Sequence, residues 1–226
     1  MSSQRLALFD CDGTLADSQH EIVTAMTEAF AALNLDCPPP QSVRAIIGLS
    51  VPRAIRMLAP DLDDAMQDRL SDAYRDAYFA ARTTAGAQPE PLYDGIVAML
   101  DQLTADGWLL GVATGKSQRG LLRLLGAHGI GDRFVTLQTA DFHPSKPHPS
   151  MVEAALAETG CTARSTVVIG DTAFDMAMAQ AAGALALGVG WGYHEADDLV
   201  AHGAMMVAEQ VGDIPALLHS LLDIPA

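Results

Sequence analysis

Short apolar runs that end on a carboxylate or a threonine, each followed by a helix-patterned stretch, limit the folds open to this chain more than any other feature. Leu6-Ala7-Leu8-Phe9 runs into Asp10, Trp108 to Ala113 into Thr114, and Thr166-Val167-Val168-Ile169-Gly170 into Asp171. Each reads as a buried strand. Ala184 to Val189 and Ala204 to Val207 supply two more. Helical patterns lie between them: Leu121, Leu122, Leu124 and Leu125 after Lys116, then Met151 to Glu158, then Phe174 to Ala182. Alternation of this kind predicts an α/β fold, a Rossmann-like parallel sheet covered on both faces.

One stretch breaks the alternation. From Asp17 to Thr84 the patterning is helical throughout. Ser18 and Glu21 have capping-box spacing, and Ile22, Val23, Met26, Phe30 and Leu33 follow at helical intervals. Pro38-Pro39-Pro40 stops that helix. Further helices are expected near Val43 to Ile47, Pro52 to Leu58 and Asp63 to Arg82, before the Gly- and Pro-containing stretch Ala85 to Pro91 leads back. The expected organisation is a core of residues 1–16 plus 86–226, with residues 17–85 inserted as an α-helical cap domain.

Composition narrows the partners. The 226 residues carry a formal net charge of −15, which argues against nucleic acid, whose binding needs Lys and Arg on phosphates. An anionic substrate must then be drawn in by a local positive patch. The three cysteines, Cys11, Cys37 and Cys161, are widely spaced and suit a reducing compartment better than a disulfide framework or a zinc site. No apolar run approaches the roughly 20 residues of a membrane span, and Met-Ser-Ser-Gln-Arg-Leu has no secretory pattern. The expectation is a cytoplasmic protein, monomer or homodimer, with no membrane partner.

In open parallel sheets, ligands bind beyond the carboxyl ends of the strands. Asp10 with Asp12, Thr114, Lys146, and Asp171 with Asp175 fall at or just past such ends. Asp10 and Asp171, with a backbone carbonyl near Asp12, offer hard oxygen ligands suited to Mg²⁺. A metal beside a phosphate would neutralise charge that repels an attacking carboxylate. Thr114 can donate to the phosphate, and Lys146 can hold its charge during transfer. Asp12 is placed to protonate a leaving alcohol and then deprotonate water, while Gly13 lets the backbone leave the strand sharply. Asp171 also suits a helix N-cap. Lys116 reads equally as a phosphate contact or as surface. Gly111 to Ser117 is no nucleotide P-loop, because three residues, not four, separate Gly111 from Gly115.

Phe9-Asp10-Cys11-Asp12-Gly13-Thr14-Leu15, Ala113-Thr114-Gly115-Lys116, Lys146-Pro147 and Gly170-Asp171-Thr172-Ala173-Phe174-Asp175 resemble, in order and spacing, the four motifs of the haloacid dehalogenase superfamily. The helical insertion resembles that family's small cap, and the tail from Gly188 to Gly192 is similar to phosphoglycolate-phosphatase-like members. The resemblance implies a phosphatase acting on a small phosphorylated metabolite, with Asp10 as nucleophile and Asp12 as general acid/base. It implies Thr114, Gly115, Lys116 and Lys146 around the phosphate, and Mg²⁺ held by Asp10, the Asp12 backbone and Asp171, with Asp175 in support. Asp12 sets the chain apart from dehalogenase members, which lack that aspartate, and from P-type ATPases, which carry Thr there. The lysine-free cap sets it apart from phosphonoacetaldehyde hydrolases. A sugar phosphomutase of the β-phosphoglucomutase kind stays open, as does, more distantly, a non-catalytic phosphate-binding module. Two departures from phosphoglycolate-phosphatase-like members stand out: Gly115 where many have Asn, and Asp94-Gly95 where many have Pro-Gly. Among the cap cations Arg44, Arg53 and Arg56, Arg53 is the expected receiver of a second anionic group on the substrate.

Overall fold

The structure, a computed structural model, describes residues 4–83 and 88–223. The start of the expected return from the insertion, residues 85–87, lies outside them. Among the described residues, six parallel strands form one sheet. In chain order they are β1 (Arg5–Phe9), β2 (Trp108–Thr114), β3 (Phe134–Thr139), β4 (Thr166–Gly170), β5 (Leu185–Val189) and β6 (Met206–Ala208), and in space they run β3-β2-β1-β4-β5-β6. β1 is therefore central, and the chain changes direction across the sheet between β1 and β4. A crevice opens at such a switch point.

The apolar runs are apolar because both faces are covered. Leu6 and Leu8 point into one cluster with Met151, Val152, Val168 and Met176. Ala7 and Phe9 point into another with Leu100, Leu110, Val167 and Ile169. Helices α5 (Ile96–Ala105), α6 (Gln118–Ala127) and α10 (Ile214–Leu222) supply the second face, and α7 (Ser150–Thr159), α8 (Ala173–Ala181) and α9 (Ala196–Ala201) the first.

Between β1 and α5 come α1 (Gln19–Ala32), α2 (Pro40–Arg44), α3 (Val51–Leu58) and α4 (Asp64–Thr83). They have their own apolar centre. Ile22, Ala25, Met26, Ala29 and Phe30 make one buried stripe on α1, at the spacing a 3.6-residue turn requires. Leu70, Tyr74 and Tyr78 on α4 close over it.

Four local expectations change. Ser18 stands at the N-cap of α1, but its side chain makes no capping bond; its backbone N–H instead donates to the Tyr193 hydroxyl at 3.1 Å. α1 already ends at Ala32, with Asn34 at φ 56°, so the proline run does not stop it. Pro40 opens α2, where a missing N–H goes unneeded. β3 was not expected at all, because its edge position leaves Val135 exposed and mixes Thr136 and Gln138 into the run.

Leu100, on α5, is fully buried in the cluster that holds Ala7 and Phe9. Leu100→Ala is expected to lower stability by about 2–5 kcal/mol, the range for an aliphatic side chain deleted from a packed core. Urea unfolding followed by circular dichroism measures it.

Candidate active site

Because the strands are parallel and in register, their carboxyl ends lie level. Phe9 pairs with Val112 on one side and Ile169 on the other, and the Asp10 N–H donates to the Ile169 carbonyl at 2.8 Å. Asp10 is thus fixed by the sheet itself. Just beyond β4, Asp171 receives the Thr14 hydroxyl on Oδ1 (2.8 Å) and the Tyr193 N–H on Oδ2 (3.0 Å). Thr172, not Asp171, is the N-cap of α8. Asp175 completes its capping box through Oδ2, accepting from the Thr172 N–H and hydroxyl. That leaves Asp175 Oδ1 for Lys146, at 2.6 Å.

The same ammonium lies 2.8 Å from Asp10 Oδ1. Lys146, Asp10, Asp171 and Asp175 are all buried. Asp10, Asp171 and Asp175 each offer a carboxylate oxygen within 4.8 Å of the others. One lysine does not balance that charge. Burial, then the neighbouring Asp175 and Asp12, push the Asp10 carboxyl up to about 7 despite the opposing pull of Lys146. Burial with Asp10 and Asp175 beside it raises Asp171 well above the carboxylate range. Buried Asp10 Oδ2 has no hydrogen-bond partner among the described residues. Hard oxygen donors, excess negative charge and an uncommitted carboxylate oxygen suit a divalent cation. The Asp12 side chain is not part of this cluster.

Gly13 allows the sharp exit from β1. Its φ is 89°, and a Cβ there would lie 2.2 Å from Asp171 Oδ2. The exit turns Asp12 away from Asp10 toward Lys116, whose Nζ lies 2.8 Å from Asp12 Oδ1. Lys116 is buried, so its reading as surface is corrected. Its ammonium also meets Glu90 at 3.1 Å and the Tyr78 hydroxyl at 2.6 Å. Arg82 pairs with Glu90 at 2.6 Å, with its guanidinium over the Tyr78 ring. Burial alone would raise Glu90, but Lys116 and Arg82 outweigh it and hold the carboxyl at about 2. Burial likewise works against the Lys116 charge, yet Asp12, Tyr78 and Glu90 raise its pKa well above the usual value. Tyr78, Arg82 and Glu90 were not legible as site residues. They are distant in sequence from the motifs, and no local pattern marks them.

Thr114, fully buried at the end of β2, accepts the Lys116 N–H on its hydroxyl oxygen, which leaves the hydroxyl proton to donate. The turn Gly48–Leu49 rests directly on Gly115. A Cβ at position 115 would lie 2.5 Å from the Gly48 carbonyl oxygen and 2.6 Å from that of Leu49. Next to this contact, the Ser50 N–H donates to the Ser145 hydroxyl at 2.9 Å. Arg53 is not brought to the cavity that Asp12 lines. It is exposed and lines an adjoining depression with Arg56, His148 and Lys146, which shares Ser50, Pro52, Pro144 and Ser145 with that cavity, while Arg44 is half-buried on α2.

A parallel sheet with a buried lysine and three buried carboxylates gathered at its switch point defines an α/β protein whose carboxyl edge is built around carboxylate chemistry. Comparison with known proteins agrees. The chain belongs to the haloacid dehalogenase-like hydrolase family, whose family-wide sequence profile matches residues 7–189. It is 34% identical over 221 residues to the probable phosphatase IndB of Dickeya dadantii, covering 96% of this chain and 94% of that one. It is 31% identical over 222 residues to the phosphoglycolate phosphatase of Yersinia pestis, covering 95% and 94%. A hydrolase from Pseudomonas syringae superposes with a TM-score of 0.84 at 26% identity, over 96% of this chain and 99% of that one.

The contact at Gly115 generates a test. Gly115→Ala has no room without moving backbone, so it is expected to keep the fold while displacing the Gly48–Leu49 turn. The expected loss in kcat/KM for an aryl phosphate is on the order of tenfold to a hundredfold, as for a misplaced active-site wall. Unchanged kinetics with an unchanged circular dichroism spectrum would show that the turn does not shape the site.

Proposed function

We propose that this chain is a Mg²⁺-dependent phosphatase of a small phosphorylated metabolite, working through a phospho-aspartate on Asp10. The observation that carries the reading is the state of Asp10: buried at the switch point, with Oδ1 held by Lys146 and Oδ2 without a hydrogen-bond partner among the described residues. In the same reading residues 17–85 form the cap over a core of 1–16 plus 86–226. The three unpaired cysteines support a reducing, cytoplasmic setting. The choice of hydrolysis over sugar-phosphate isomerisation rests on relatives that are named phosphatases.

Asp10, Asp171, Asp175 and the Asp12 backbone would hold Mg²⁺, which would supply positive charge beside the phosphate. The remaining work falls to the chain. Asp10 attacks phosphorus, and the bond to the alcohol oxygen breaks as Asp12 delivers its proton to that oxygen. Lys146 and the Thr114 hydroxyl steady the equatorial oxygens. Asp12 then takes a proton from water, whose oxygen attacks phosphorus and releases the Asp10 carboxylate. Lys116 fixes where Asp12 stands, so the acid/base is positioned before substrate arrives.

Asp10→Asn is expected to lower Mg²⁺-dependent phosphate release from an aryl phosphate by on the order of 10³-fold or more, as removal of a nucleophile does. Activity near that of the parent enzyme would overturn the assignment.

The raised Asp10 carboxyl gives a second test. An unfolded aspartate loses its proton near pH 4, whereas this one keeps it to about 7. The stability that Asp10 contributes is therefore fully present below about pH 4 and is lost as pH rises to 7, where the cluster becomes anionic. A cation relieves that repulsion, and protons compete with it. Mg²⁺ is thus expected to raise the melting temperature more at pH 8 than at pH 5.5, relative to chelator, by scanning fluorimetry. An equal or larger rise at pH 5.5 would contradict the cluster as its site.

A further inference from the structure

The cavity lined by Asp12 is much larger than the catalytic groups require, at about 670 Å³. Ligand pockets of that size suit molecules well beyond a two-carbon acid. One wall is built from Ile22 and Met26 of α1, Ile46 and Ile47 after α2, and Tyr74 and Tyr78 of α4, all buried, while Ser117, Asp141, His143 and Ser145 line the rest with polar groups. Asp12, the group placed to protonate the leaving oxygen, lines this space, and Asp10 does not. The alcohol side of the substrate therefore faces the apolar wall.

The one buried cation of the lining is already engaged, and the other two lie at its exposed rim. Lys116 is held by Asp12, Glu90 and Tyr78. Arg75 is exposed and pairs with Asp72 at 2.8 Å, and Arg119, also exposed, lies over the Phe79 ring at 4.3 Å. Arg53, the cation expected to receive a second anionic group, does not line this cavity but the adjoining depression that Lys146 also lines. A carboxylate entering against the buried wall of Ile22, Met26, Ile46 and Ile47 would lose its hydration with no cation on that wall, since Arg75 and Arg119 stand at the exposed rim. An apolar body would exchange water for matching walls.

We infer that the substrate is the phosphate monoester of a bulky, uncharged alcohol with an apolar body, and that phosphorylated short carboxylic acids are poor substrates. This rests on the phosphatase reading above and names the substrate class of the same site. Departure from phosphoglycolate-like selectivity agrees with Gly115, where the Gly48–Leu49 turn takes the space a larger side chain would occupy.

The test is a series of linear alkyl phosphates from ethyl to hexyl, a phenylbutyl phosphate and phosphoglycolate, assayed with Mg²⁺ and the wild-type enzyme. In parallel, calorimetry measures binding of the corresponding alkyl phosphonates and of 3-phosphonopropionate. A methylene entering an apolar site is worth about fourfold, so kcat/KM is expected to climb about fourfold per methylene until the cavity fills. Phosphoglycolate is expected to fall about tenfold or more below the butyl ester, given the unpaired carboxylate. The phosphonates are expected to rank in the same order. A flat series, or tighter binding of 3-phosphonopropionate than of the butyl phosphonate, would overturn the inference. If no ester is hydrolysed, the phosphatase reading fails, and the phosphonate ranking alone still decides what the cavity accepts.

Discussion

Lys146 carries one positive charge to the point where Asp10, Asp171 and Asp175 converge, and the geometry of the sheet's carboxyl edge depends on it. All four groups are buried, and the ammonium lies 2.8 Å from Asp10 and 2.6 Å from Asp175. Isolated carboxylates at that depth would be unstable or protonated. One lysine shared between two of them keeps the cluster compact, yet leaves a surplus of negative charge. That surplus raises Asp10 and Asp171, and it is what a bound cation would relieve. Everything else at the edge serves this arrangement. The in-register strands set Asp10, Gly13 gives way for Asp171, and the capping box of α8 orients Asp175.

A second buried network joins the inserted helices to the sheet. Lys116 follows β2, Glu90 lies in the return toward α5, and Tyr78 and Arg82 come from α4. Two cations and Glu90, with Asp12 at one end, leave little net charge in this part of the site. The arrangement couples the position of α4 to the position of Asp12 through direct contacts, with Lys116 as the shared member. Together with the Gly48–Leu49 turn on Gly115, it places the apolar wall of the cavity against Asp12.

The central strands were legible because burial on both faces makes a continuous apolar run, and Asp10, Thr114 and Asp171 stood at their ends. The insertion was legible as helical from the stripe Ile22, Met26 and Phe30. β3 was not, because an edge strand with Val135 exposed carries a mixed pattern. Asp10, Asp171, Asp175 and Lys146 come together from three motifs, and their spacing along the chain had pointed to a shared site. The network of Tyr78, Arg82 and Glu90 had no such signal, since only the tertiary fold brings α4 to Lys116. Arg53 was chosen for its charge and its closeness in sequence to the Gly48 turn. The first turn of α3 leaves it exposed, outside the cavity that Asp12 lines but on the depression that Lys146 also lines, a difference the sequence has no way to mark.

The central claim is that the phosphoryl group passes through Asp10 before it reaches water. The stereochemical course at phosphorus tests this most directly, using an ester made chiral with oxygen isotopes. Two successive in-line displacements, first by Asp10 and then by water, each invert phosphorus, so the account predicts net retention in the released phosphate. Net inversion would mean that water attacks the ester directly, and would contradict the account.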